Sequence, residues 1–164
     1  MLIETWRFGR TEIAEDSIIA FSEGILGFEE LKRFAIILSD ACEPIQWLQS
    51  MDDPRVSLPI INPFLVAPDY ELDVDDSELY SIGKPTVEDI LVVNVMVLPE
   101  DITKTTVNLS APILINVKTR QGRQIVMDTV ENGIRYPAFA ALAAYFQEED
   151  EKERTQNAGA DKKD

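Results

Sequence analysis

The sequence predicts an all-β, mainly antiparallel fold: a small β pseudobarrel or sandwich with a helix at its C-terminal end. Through most of the chain apolar residues recur with period two, the spacing of half-buried strands. Glycine and proline fall between those apolar runs rather than inside them, as turn residues do in a many-stranded antiparallel domain. Helical spacing sets in only beyond Pro137.

Along the chain, strands are expected at residues 3–8, 34–38, 45–49, 58–62, 79–82, 90–98 and 124–127. The clearest alternation is a further strand in which Val107, Leu109, Ala111, Ile113, Ile115 and Val117 share one face. Thr106, Asn108, Ser110, Pro112 and Asn116 share the other. Pro112 has no N–H to give to a ladder, so this strand lies at an edge, or is bulged or broken near Ala111 and Pro112. Residues 119–123 read as a hairpin turn. Residues 27–33 suit one helical turn with Phe28 and Leu31 inward. From Pro137, a residue suited to a first helical turn, Phe139, Leu142 and Phe146 fall on one face of an alanine-rich helix. The chain thus divides into a β domain over 1–136, a helix over 137–147 and a charged tail over 148–164. That tail has almost no apolar residue to join a core and is expected to fray or be disordered.

A chain of 164 residues is of single-domain size and can bury about 70% of the surface its unfolded form exposes. Its 30 acidic residues against 15 basic ones leave a formal net charge of −15. Such a surface repels phosphate, and no basic cluster is present to neutralise a nucleic-acid backbone, which argues against direct binding of RNA or DNA. The acidity serves either solubility or a partner-facing role. Cys42 is the only cysteine, so no internal disulfide can form. The N-terminus lacks the basic-then-apolar plan of a leader. The longest apolar run, 90–98, is interrupted by Asn94 and is too short for a bilayer. A cytoplasmic protein that does not meet the membrane is expected.

The chain has no histidine, which removes the commonest general base near neutral pH and any Ser-His-Asp or Cys-His site. The adjacent acids Asp52 and Asp53, Asp75 and Asp76, and Glu88 and Asp89 are poor catalytic pairs, because sequence neighbours point to opposite strand faces or lie in solvated turns. The densest acidic patch is Asp69, Glu71, Asp73, Asp75, Asp76 and Glu78. Its oxygens suit a hard cation, but the spacing lacks the glycine and terminal glutamate of an EF-hand loop. A Ca²⁺-binding module or small β-barrel enzyme using Asp69 to Asp76 is the alternative reading. The glycines at 24 and 27 are followed by aromatic and acidic residues rather than a lysine, so no phosphate loop, and no cofactor, is expected.

Two groups of residues have both a structural and a binding reading. Trp47, set among amides and apolar neighbours, is either core or a partly open hot spot. Gln49, Asn108 and Asn116 either cap turns or meet a partner's backbone. Phe28 joins Trp47 as a candidate for an apolar docking patch.

Several motifs, in order, resemble one family. They are Ile3-Glu4-Thr5 with Phe8-Gly9; Ile18-Ile19-Ala20-Phe21 leading to Gly24-Ile25-Leu26-Gly27-Phe28-Glu29-Glu30; and Trp47-Leu48-Gln49-Ser50-Met51-Asp52-Asp53-Pro54. Asn62-Pro63-Phe64 with Pro68-Asp69-Tyr70, the run from Thr106 to Asn116, and Gly122-Arg123-Gln124-Ile125-Val126 continue the series. Over residues 1 to about 136 the chain resembles the FliW family of flagellar assembly factors. The resemblance implies a cytoplasmic β pseudobarrel, not an enzyme, with two protein partners. One is flagellin, held before export; the other is CsrA, the RNA-binding repressor of flagellin translation. It also implies a switch in which protein freed by flagellin export binds CsrA and relieves repression. The segment beyond Pro137 departs from the family pattern as an extension.

Overall fold

The structure, a computed structural model, describes residues 1–161, with side chains through Thr155. Among the described residues, eleven strands and three α-helices follow in chain order. An N-terminal hairpin, β1 (Leu2–Thr5) and β2 (Gly9–Glu12), forms its own two-stranded sheet. Then come β3 (Ile19–Ala20), β4 (Arg33–Ile37), β5 (Gln46–Ser50) and β6 (Ser57–Ile61), followed by the short helices α1 (Pro63–Val66) and α2 (Asp76–Tyr80). The chain continues through β7 (Ile90–Val97), β8 (Thr106–Val107), β9 (Ile113–Asn116), β10 (Gln121–Gln124), β11 (Tyr136–Pro137) and α3 (Phe139–Asp161).

Strands β7, β6, β5, β4, β3, β10 and β9 pair in that order, and β9 pairs again with β7, so the sheet closes into a barrel of seven strands. All contacts in it are antiparallel except β3 with β10, a single parallel pair at Ala20 and Gln121. The period-two alternation sorts side chains into two layers. Leu48, Ile60, Val93, Ile113 and Ile115 point into the barrel with Phe21 and Phe34. Their neighbours Ile61, Met96 and Leu114 point outward and are covered by Val66, Tyr70, Ile82, Met127, Ala138 and Leu142. Closure needs close approach at one point: a Cβ on Gly122 would collide with the ring of Phe21.

Several elements differ from the sequence expectation. The strand expected at 79–82 is helical, ending in α2 and the turn after it; Leu79 and buried Ile82 lie three apart and reach the outer core from one helical face. The strand expected at 3–8 stops at Thr5, whose Oγ1 accepts the Phe8 N–H at 2.9 Å and donates to the Gly9 carbonyl at 2.8 Å. Residues 27–33 make no helical turn. They continue a run of tight turns in which Gly24 takes φ +69°, and a Cβ there would lie 2.5 Å from the Glu29 backbone. The long strand breaks where Pro112 interrupts the ladder, leaving β8 and β9. The strand expected at 124–127 is β10, three residues earlier; beyond it only single bonds run, from Ile125 N–H to the Pro112 carbonyl and Met127 N–H to that of Ser110.

The C-terminal helix is longer than expected. It runs through most of the segment expected to fray, and 23 residues at helical rise extend about 34 Å. Its docked part is short: Ala138, just before it, and Leu142 are buried, while Phe146 is 47% exposed. Residues 162–164 of the predicted tail lie outside the described residues. Among those described, no helix is long and apolar enough to cross a membrane.

Candidate functional site

The candidate residues do not gather into one site. Trp47 lies on the outer face of β5 and is only 4% exposed, because the turn between β1 and β2 covers it. The Arg7 guanidinium lies over the indole, and the Phe8 ring meets it edge-on. The hairpin is fastened beside it by the Trp6 N–H, which donates to the Pro54 carbonyl at 3.0 Å. Gln49, also on that face, is fully buried, and its Nε2 donates to the Ser50 carbonyl at 3.0 Å. Trp47 Nε1, Gln49 Oε1 and the Oγ of Ser57, the cross-strand neighbour of Gln49, have no hydrogen-bond partner.

Asn116 is buried too. Its Nδ2 donates to the Ile82 carbonyl at 2.8 Å while its Oδ1 accepts the N–H groups of Lys118 and Thr119, which shapes the turn into β10. Asn108, half-buried, accepts the Ser110 N–H at 3.0 Å. Of the two readings open in the sequence, both asparagines follow the turn-capping one. Trp47, Gln49 and Asn116 therefore present no surface to a partner in this conformation.

Phe28 is placed differently. It is half-buried in an open hollow of about 620 Å³ that also includes Leu31, Val56, Asp53 and Arg55. Arg55 clamps Asp53 through both Nε (3.1 Å) and Nη2 (2.9 Å), and this contact holds the Asp53 carboxyl below its ordinary pKa. Across the β4–β5 end, Arg33 Nη2 meets Asp52 Oδ1 at 2.6 Å.

The acidic patch forms an extended strap over the outer core. Tyr70, Leu72 and Val74 turn inward, so Glu71, Asp73 and Asp75 turn outward with Asp69 and Asp76. The strap is anchored by the Tyr70 hydroxyl, which donates to the Leu109 carbonyl at 2.6 Å, and burial pushes that hydroxyl's pKa up. Buried Asn94 ties the same region together, donating to the Asn108 carbonyl at 2.9 Å. Glu78 is taken up locally, its carboxylate accepting the Asp75 N–H at 3.2 Å. Among the described residues no three carboxylates or thiols converge to hold a metal ion. The strap is an exposed row of negative charge.

Residues 2–138 match the family model described as FliW protein. The chain is 42% identical over 140 residues to the flagellar assembly factor FliW of Caldicellulosiruptor saccharolyticus, covering 85% of this chain and 91% of that one. It is 37% identical over 153 residues to the FliW of Lachnoclostridium phytofermentans, covering 92% and 98%. Its fold superposes on a crystal structure of the flagellar assembly factor FliW with a TM-score of 0.78 at 32% identity, over 85% of this chain and 97% of that one. The match spans the whole barrel with its hairpin, and the chain belongs to the FliW family of flagellar assembly factors.

Proposed function

We propose that this protein works in the bacterial cytoplasm by binding, without catalysis, flagellin before export and the translational repressor CsrA once flagellin has left. Exchange between the two partners makes flagellin synthesis follow export. The observation that carries this reading is the family match over residues 2–138, which takes in every strand of the barrel. The chemistry of the chain is compatible with it. There is no histidine to act as a base, and the outward row of carboxylates on the 69–76 strap suits an antagonist of a protein that must hold RNA phosphate.

The test is capture from the native cytoplasm with the tagged full chain as bait. Flagellin and CsrA should both be retained, CsrA more strongly when flagellin is absent. Retention of neither overturns the proposal.

A further inference from the structure

The two edges of β7 are not equally occupied. On one edge Ile90 to Val93 pair with Asn116 to Ile113, and the Val117 N–H donates to the Asp89 carbonyl at 2.9 Å. That bond sets the phase of the ladder: Leu91 and Val93 turn their amide groups toward β9, so Ile90 and Val92 turn theirs to the opposite edge. On that edge β6 pairs only with Asn94 and Val95. The next residues of the chain are Asn62 and Pro63, and Pro63 has no N–H and starts α1. The Ile90 N–H is used by the Val87 carbonyl. Among the described residues, the Ile90 carbonyl and both the N–H and the carbonyl of Val92 have no hydrogen-bond partner.

These groups open into a cleft of about 550 Å³. Its walls are apolar at Phe64, Leu65, Leu91 and Tyr145, and the first three are each at least 38% exposed. Gln46 contributes an amide that makes no side-chain hydrogen bond among the described residues, and Glu43 is the only charged residue in the lining. Glu149 of α3 stands close by. The Tyr145 hydroxyl has its pKa raised by loss of solvent and then by Glu149 and Glu43, against a smaller opposing effect of Lys152, whose Nζ stands 3.5 Å from Glu149 Oε1 at the solvent side of the rim. A second copy of the chain would bring another net charge of −15 to this acidic rim, whereas a basic segment complements it.

We propose that this cleft receives an extended segment of a partner protein as an added strand beside the first half of β7. The segment places apolar side chains against Phe64, Leu65 and Leu91 and a lysine or arginine beside Glu43 and Glu149. Val92 exchanges both of its backbone bonds with it. About four residues fit the open edge, at about 3.4 Å each. The inference stands on the unpaired edge and its charge, independently of the identity of flagellin or CsrA as partners.

The test uses a fluorescein-labelled peptide, acetyl-Lys-Val-Lys-Ile-Lys-Val-amide, with the full chain. Two companions carry glutamate in place of lysine, or N-methyl groups on alternate amides. The lysine peptide should bind and perturb the Val92 amide resonance; N-methylation should weaken it about tenfold or more. The double variant E43K/E149K should reverse the preference between the lysine and glutamate peptides. F64D, at a half-exposed wall position whose ring also meets Tyr70, should weaken binding while the chain stays folded with only a modest fall in melting temperature. Equal binding of the N-methylated peptide, perturbation away from Val92, or an unchanged charge preference in E43K/E149K overturns the proposal. So does a dimer whose formation excludes the peptide, because the cleft would then belong to a second copy.

Discussion

The Arg7 guanidinium carbon lies 3.9 Å from the centroid of the Trp47 ring, and the Phe8 ring meets the same indole at 6.0 Å and 70°. Two consecutive residues of one turn thus close the outer face of β5. Trp6, beside them, is 77% exposed, so Trp6→Phe leaves Trp47 as the only fluorophore of its kind. In that background Arg7→Ala should shift the emission to the red and cost about 0.5–1 kcal/mol, the range of a solvent-exposed cation over an aromatic ring. An unchanged spectrum would mean that the hairpin does not shield Trp47 in solution.

Gly122→Ala tests barrel closure. The added Cβ meets the fully buried Phe21 ring, which is itself packed edge-on against Phe34 at 5.5 Å. Overpacking of this kind costs about 1–3 kcal/mol, and a chain of this size loses about 2–4 °C of melting temperature for each. A melting temperature equal to the parent's would show that Phe21 does not fill the barrel there.

The docking of α3 should be uneven. Leu142 is 8% exposed and Phe146 47%, so Leu142→Ala should cost about 2–4 kcal/mol and Phe146→Ala about 1 kcal/mol or less. A chain ending at Gln147 should melt within about 2 °C of the parent, since it loses mostly solvated side chains. Equal losses for the two alanine variants would contradict this placement of the helix.

The acidic strap makes an electrostatic prediction. Screening limits charge effects to about 8 Å at physiological ionic strength, so only acids near the RNA path on CsrA can matter. Replacing Asp69, Glu71, Asp73, Asp75, Asp76 and Glu78 by Asn or Gln should leave CsrA binding largely intact and weaken the displacement of RNA, most visibly at low salt. RNA displacement equal to the parent's at every salt concentration would make the antagonism steric or conformational.

Much of the barrel was legible because alternation is a direct image of burial. The expected strands at 34–38, 45–49, 58–62 and 90–98 each lie within one residue of β4, β5, β6 and β7. Pro112 announced the break between β8 and β9 by its missing donor. The misread strand at 79–82 is too short for its period to be distinguished: Leu79 and Ile82 satisfy the core from either geometry. The burial of the candidate residues was less legible for a different reason. Trp47 is hidden by a hairpin some forty residues earlier, and a sequence does not state which strand face a remote segment covers. The cleft beside Val92 is still less visible, since it consists of backbone groups left open where β6 ends, contributed by segments from residue 43 to residue 145.

The exchange of partners is the central claim, and competition between purified components tests it most directly. Labelled CsrA is bound to the full chain and monomeric flagellin is titrated in, followed by gel filtration of the products. The account predicts that CsrA leaves in proportion to the flagellin bound, and that removing flagellin restores the CsrA complex. A stable complex holding all three proteins, or CsrA binding indifferent to flagellin, would contradict it.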